Sequence, residues 1–139
     1  MTEPCDLDAT EARRLIGAKR LSAAELTESC IARVLAVDPA VNAMVARDFD
    51  RARATAAECD ATTMRGGALG ALHGLPLGVK DLEDVAGLRT TYGSVLFRDH
   101  VPAEDQSTIK SLRTAGAIVL GKTNTPEWGA GANTRNAVY

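Results

Sequence analysis

Lys80 closes a short apolar run in the stretch HGLPLGVKDLEDVAG, residues 73–87. Read as a strand, the run sends Leu75, Leu77 and Val79 to one face and Pro76, Gly78 and Lys80 to the other, because side chains alternate. The first face has the makings of core. The second carries almost no side-chain volume until the lysine. A lysine there has two chemistries open to it. It can be a solvated cation at a strand end. It can instead be an amine in a cleft, whose neutral form accepts a proton from a hydroxyl. Asp81 favours the charged amine if the two touch, but neighbouring strand residues point to opposite faces. Residue type alone leaves both readings open.

A second lysine invites a different chemistry. GAIVLGKT, residues 116–123, matches the phosphate-loop pattern G-x-x-x-x-G-K-[ST] letter for letter. The physics behind that pattern requires a strand before the first glycine, small polar residues between the glycines, and a helix at the lysine. Here a helical segment precedes Gly116, the intervening residues are Ala117, Ile118, Val119 and Leu120, and Pro126 follows shortly. The expectation is a glycine turn and a buried strand, with no nucleotide bound.

Other chemistries find little support. Cys5, Cys30 and Cys59 are odd in number and widely spaced, so half-buried thiols are expected in place of a disulfide framework or zinc site. His73 and His100 have no cysteine or histidine at ligand spacing, and neither metal nor cofactor is expected. A formal net charge of −2 gives no reason to expect nucleic acid or an anionic membrane as partner. No apolar run is long enough to span a bilayer, and the start MTEPCDLDATEARR lacks a basic, then apolar leader. The expected location is the cytoplasm.

The elements that must position Lys80 fall into two parts of one partial domain, about 1–65 helical and 70–139 the start of an α/β core. Asp8 with Glu11, and Ser22 with Glu25, have the spacing of helix-capping boxes. From Ser22 a helix carries Leu26, Cys30, Val34 and Val37 on its apolar side and is predicted to stop before Pro39. Residues 41–45 make a short strand or extended link. A third helix from about Arg47 lines up Phe49, Ala52, Ala56 and Cys59, with Arg51, Arg53, Glu58 and Asp60 outside. Beyond Gly66, Gly67 and Gly70, strand-like LPLGVK and TTYGSVLF alternate with turns. A helix from about Asp105 then presents Ile109, Leu112 and Ala115 and ends at Gly116. AIVLG reads as a strand buried on both faces. Helices on a mixed, mostly buried sheet is the α/β class this order predicts.

The order of segments carries a resemblance. GLPLGVKDLEDVAGLRTTYGS, then AEDQSTIKSLRTAGAIVLGKTNTPEW, then GANTRNAVY is similar to the amidase signature family, unbroken from about His73 to Tyr139. The resemblance implies that Lys80 is the lysine of a Ser–cis-Ser–Lys triad. Neutral Lys80 would take a proton, through a bridging serine, from a serine that attacks an amide carbonyl. An acyl-enzyme would form, ammonia or an amine would leave, and water would complete hydrolysis, with no metal or organic cofactor. The bare face of Pro76 and Gly78 would leave room for the serines. Trp128 and Gly129, in TPEWGAG, lie where family members begin to line the substrate pocket; core packing is the competing expectation for the tryptophan. Arg135 and Asn136 are expected to fix loop structure.

In the family both serines follow the N-x-V-Y motif, here Asn136 to Tyr139, on a Gly- and Ser-rich segment. None of Ser22, Ser29, Ser94, Ser107 or Ser111 sits in such a loop. The resemblance therefore implies the N-terminal part of an amidase fold, truncated, and inactive alone. Its partners would be a small amide substrate and the remainder of the amidase chain. Exposed sheet edges and apolar surface would favour association, a homo-oligomer included. Alternatives are a piece of a glutamyl-tRNA amidotransferase A subunit, half of a split enzyme, or a non-catalytic binding or assembly module.

Overall fold

The computed structural model describes residues 3–139. Four helices and three strands follow in the order α1 (Ala9–Gly17), α2 (Ala23–Val41), β1 (Met44–Arg47), α3 (Phe49–Met64), β2 (Pro76–Lys80), α4 (Ser107–Thr114) and β3 (Ile118–Thr123). The sheet order is β1-β3-β2, with β3 antiparallel to β1 and parallel to β2. This is the mixed α/β arrangement that the sequence predicts.

Each helix start has a local cause. Asp8 caps α1 through Glu11 N–H at 2.8 Å, but the Glu11 carboxylate turns to Arg14 and does not return the bond. Ser22 and Glu25 form the full reciprocal box on α2. Asp60, expected outside α3, instead reaches across to accept from Ala23 and Ala24 N–H at 2.7 and 3.0 Å, satisfying further donors at the α2 start.

Helix α2 runs through Pro39 rather than stopping before it. Proline lacks only the N–H that would reach Leu35, and Leu35 lies on the solvent side, where water meets the freed carbonyl. The buried stripe is consequently Ala23, Leu26, Thr27, Ile31 and Asp38, while Val37 is exposed. Asn42, at φ 51°, ends the helix in the left-handed region. Asp38 then organises the turn into β1, accepting from Ala43 and Met44 N–H at 2.6 and 2.9 Å and from Arg47 at 2.8 Å.

Burial works to raise the Asp38 carboxyl, but Arg47 and those two amides outweigh it and hold it below the ordinary carboxylate range. A carboxyl depressed by folding adds stability above its unfolded pKa and loses that contribution as pH falls through the folded value. Asp38→Ala should therefore cost about 2 kcal/mol at neutral pH, measured by urea denaturation. The gap to the parent should narrow as pH falls through the lowered folded pKa of Asp38. An unchanged gap at low pH would show that the carboxylate charge is not what stabilises the turn.

The sheet is packed on both faces. One face meets α2 and α3, where Ile118 and Leu120 of β3 lie among Ala23, Ile31, Ala52, Ala56 and Cys59. Small residues on α3 allow close approach, as the alanine stripe predicts. The other face carries Leu77, Val79 and Val119 against Val85, Leu88 and Ile109 of α4. Leu75 departs from its predicted companions and joins Ala12, Ile16 and Leu26 beneath α1. His73 is buried, with Nε2 3.0 Å from Thr63 Oγ1 and 3.1 Å from the Cys59 carbonyl.

The α4 exit matches its prediction in detail. Gly116 N–H reaches the Arg113 carbonyl and Ala117 N–H the Leu112 carbonyl, the paired bonds of a Schellman cap. TTYGSVLF, by contrast, is not a strand. Thr90 and Thr91 are irregular and fully buried, and Val95–Phe97 forms a 3-10 turn. Its β-branched and aromatic residues mimic a strand, but Thr91 N–H bonds the Asp81 carboxylate rather than a ladder partner.

A β-bulge in β3 has a consequence for the site. Leu77 pairs with Val119 but Gly78 pairs with Gly121, so β3 passes one more residue than β2 at Leu120. The extra residue inverts the alternation beyond it. Lys122 is turned from the α2–α3 face to the face of Val79 and Asp81.

Candidate active site

Lys80 ends β2 on the face of Pro76 and Gly78, opposite Thr123 of β3, and is exposed. Among the described residues no acid lies within ion-pair distance of its ammonium. The face that alternation leaves bare is not empty. A Cβ at Gly78 would lie 2.9 Å from Thr123 Cγ2 and 3.9 Å from Met44 Cε. Glycine at 78 lets the threonine methyl lie across the strand beside Lys80. Thr123 also borders two clefts. One, of about 380 Å³, is largely apolar and includes Val34, Val37, Val41 and Met44. The other, of about 490 Å³, is bounded by Asn42, Asn124, Arg135, Asn136 and Tyr139.

Asn136 ties this second cleft together. Its amide donates to Asn124 Oδ1 at 2.7 Å and the Thr125 carbonyl at 2.8 Å, while its oxygen accepts from Val138 and Tyr139 N–H, both at 2.9 Å. Arg135 is on the cleft wall. Burial first, then the charge of Asp81, pushes the Tyr139 phenol upward, and the Arg89 guanidinium sits 4.9 Å over its ring.

Trp128 and Gly129 lie beside the loop that follows Lys80 and border neither cleft. Trp128 is 53% exposed, so it is not a core residue. It stacks on Tyr92 at 5.2 Å and 8°, with Phe97 edge-on to both rings. Tyr92 and Trp128 are both left-handed, at φ 54° and 52°, and Trp128 N–H bonds the Tyr92 carbonyl at 2.8 Å. Holding two bulky residues there costs on the order of 1 kcal/mol each, which the ring stack helps to offset. Gly129 abuts Leu82: a Cβ there would lie 2.7 Å from Leu82 Cδ1.

Tyr92 donates to Asp84 at 2.6 Å. Burial first, and then this bond to a carboxylate, push the phenol up to about 12. A phenol raised by folding adds stability below its unfolded pKa of about 10 and loses it as pH rises through the folded value. The ultraviolet difference between parent and Tyr92→Phe should therefore titrate near pH 12. A midpoint near about pH 10 would show the phenol to be neither buried nor bonded to Asp84 in solution.

Lys122 is the site residue that sequence reasoning misses. It is fully buried, and its ammonium donates to the Glu83 carbonyl at 2.6 Å and Thr90 Oγ1 at 2.7 Å while pairing with Asp81 Oδ1 at 3.3 Å. Asp81, equally buried, accepts from Thr91 N–H and, at 2.5 Å, from the Thr91 hydroxyl. Burial presses the Lys122 amine down, and the Asp81 charge opposes that. A signal was present in the sequence: a lysine inside an apolar strand must find acceptors, and Asp81 is placed to face the same side as Val79.

Cys30 and Cys59 are free thiols, both pushed up chiefly by burial, which disfavours the reactive thiolate. Among the described residues no three His, Cys, Asp or Glu side chains group to hold a metal. No helix there is long and apolar enough to cross a membrane.

Residues 25–139 match the family profile described as Amidase. The chain belongs to the amidase signature family. It is 38% identical, over 94% of its length, to the A subunit of the glutamyl-tRNA(Gln) amidotransferase of Acidothermus cellulolyticus, and covers 26% of that protein. It is 41% identical, over 96% of its length, to an acylamidase of Rhodococcus erythropolis, covering 28% of it. Among solved structures, a bacterial aryl acylamidase of the amidase signature enzymes superposes with a TM-score of 0.85 at 30% identity, over 92% of this chain and 27% of that one. The chain thus spans about a quarter of the length of the curated relatives it matches. Lys80 and the Asp81–Lys122 pair both fall within the stretch matched to the amidase signature family.

Proposed function

We propose that these 139 residues supply the general base of an amidase, Lys80, to a Ser–cis-Ser–Lys triad whose serines lie outside this sequence. The observation that carries the reading is the place of Lys80 within the family match: it ends β2 on the face of Gly78, with no acid paired to it among the described residues. An amine paired to a carboxylate would keep its proton. Asp81, the acid next in sequence, is occupied by Lys122 and Thr91 on the opposite face.

In the reaction, neutral Lys80 draws the proton of the bridging serine, which draws that of the nucleophilic serine. The serine oxygen attacks the amide carbonyl and the C–N bond breaks. The proton returns to the leaving nitrogen, giving ammonia or an amine. Water, deprotonated by the same relay, then releases the acid and restores the serine. Trp128 and Gly129 are assigned to the substrate side of the site, the exposed indole offering a flat apolar surface to the acyl or amine group. The apolar cleft of Val34, Val37, Val41 and Met44 is a surface for the remainder of an amidase chain, with a second copy of this chain as the competing occupant.

The test compares amide hydrolysis by the 139-residue chain with that of a longer polypeptide joining it to its serine-bearing segment. Turnover is expected only in the second. Turnover by the short chain that disappears with Lys80→Ala would overturn the missing-serine premise. The amidotransferase relatives favour a second reading, ammonia release for transfer. Hydrolysis of glutamine but not of anilides by the longer polypeptide would support it.

A further inference from the structure

Lys122 is the largest fully buried side chain among those described, and the reaction above gives it no part. An ammonium has three hydrogens, and here each has an acceptor: the Asp81 carboxylate, the Glu83 carbonyl and the Thr90 hydroxyl. All three belong to the segment that begins directly after Lys80. Glu83 N–H closes a turn onto the Lys80 carbonyl at 3.0 Å, and Asp81 N–H bonds the Thr123 carbonyl at 2.9 Å. The backbone of Lys80 is therefore held from in front by this turn and from behind by Lys122. The two strands present Lys80 opposite Thr123 on one face and Asp81 near Lys122 on the other. The bulge at Leu120 is what puts the second lysine on that rear face.

A fully buried ion pair is a weak source of stability, since desolvation offsets most of the attraction. Its placement suggests another use. We infer that Lys122 and Asp81 are positioning residues for Lys80: the pair pins the strand end from which Lys80 projects and neutralises the carboxylate next to it. The inference rests on Lys80 being the base, but its test does not. The other charged or titratable groups around the pair are Glu83, Asp84, Tyr92, Tyr139 and Arg89.

The two partners have opposite charges and respond differently to losing each other, so removing them separately affects Lys80 differently. Lys122→Met leaves Asp81 uncompensated, which favours charged Lys80. Asp81→Asn removes the counter-charge of a buried amine, which then sheds its proton, so no new charge stands behind Lys80. The side chain of Lys80 is to be titrated by NMR in the 139-residue chain, its signal assigned by loss in Lys80→Ala. The midpoint should rise by about one pH unit in Lys122→Met and stay in place in Asp81→Asn. In the serine-bearing polypeptide both variants should lower kcat by roughly 100-fold with little change in KM. The acid limb of the rate profile should move with the Lys80 midpoint.

A merely structural pair gives equal or absent displacements in both folded variants, and that result overturns the inference. If Lys122→Met does not fold, Lys122→Gln carries the test, since glutamine loses the charge but keeps donors for the Glu83 carbonyl and Thr90. If neither folds, the pair is a folding requirement and the inference falls. Full activity in Lys80→Ala would remove the base assignment instead, leaving the displacement in Lys122→Met to be judged alone.

Discussion

Lys80→Ala in the serine-bearing polypeptide is expected to lower kcat by about 10⁴-fold and to abolish the burst of acyl-enzyme. A general base alone contributes two to four orders of magnitude, but in a relay the loss of one member stops the others as well. The side chain is exposed and makes no ion pair among the described residues, so its removal should change stability by less than about 0.5 kcal/mol. That separation makes the variant informative: a folded protein without turnover locates the defect in chemistry. A normal burst from the variant would take Lys80 out of the mechanism. Lys80→Arg should be as inactive as alanine, because a guanidinium stays charged and cannot accept the proton.

Gly116→Ala is expected to be among the most damaging small changes to the fold. Gly116 has φ 98°, in the region that side chains resist, and a Cβ there would lie 2.6 Å from His73 Cα. His73 is itself buried against α3, so it cannot withdraw cheaply. Backbone strain of about 1–2 kcal/mol and overpacking of about 1–3 kcal/mol act together. The sum is a large part of a domain stability of roughly 5–15 kcal/mol. Denaturation in urea should show a loss of about 3 kcal/mol or an unfolded chain. A loss under about 1 kcal/mol would mean that the Gly116–His73 approach relaxes freely.

The parts of the structure legible in the sequence are those whose causes are local. Ser22 and Glu25 signal the α2 start because the box closes within one turn. Gly116 signals the end of α4 because the left-handed cap needs no distant partner. The apolar run of β3 signals a buried strand by composition alone. Pro39 misleads because its penalty depends on whether Leu35 faces water, which sequence does not display. TTYGSVLF misleads for the opposite reason: Thr90 and Thr91 are committed to Lys122 and Asp81, remote in sequence. Lys80 is legible through the family resemblance and Lys122 is not, because refuting a phosphate loop left its lysine without a question. Burial supplies that question. The emptiness beside Gly78 is likewise an illusion of one-strand reasoning, since Thr123 of the neighbouring strand fills it.

The strand order carries a consequence for the order of assembly. β1 lies early in the chain, yet its pairing partner is β3, and Met44 stands opposite Thr123. Pairs so far apart in sequence close slowly, because the loop entropy is lost before the contact forms. During synthesis α2 and α3 emerge with the face that Ile118 and Leu120 will cover still bare. Of the three strands described, β3 follows both its neighbours in sequence and pairs with each, so neither β1 nor β2 has its ladder partner until β3 has left the ribosome. Any division of the chain for complementation belongs after Thr123; a cut upstream separates β1 from the strand that gives it a place.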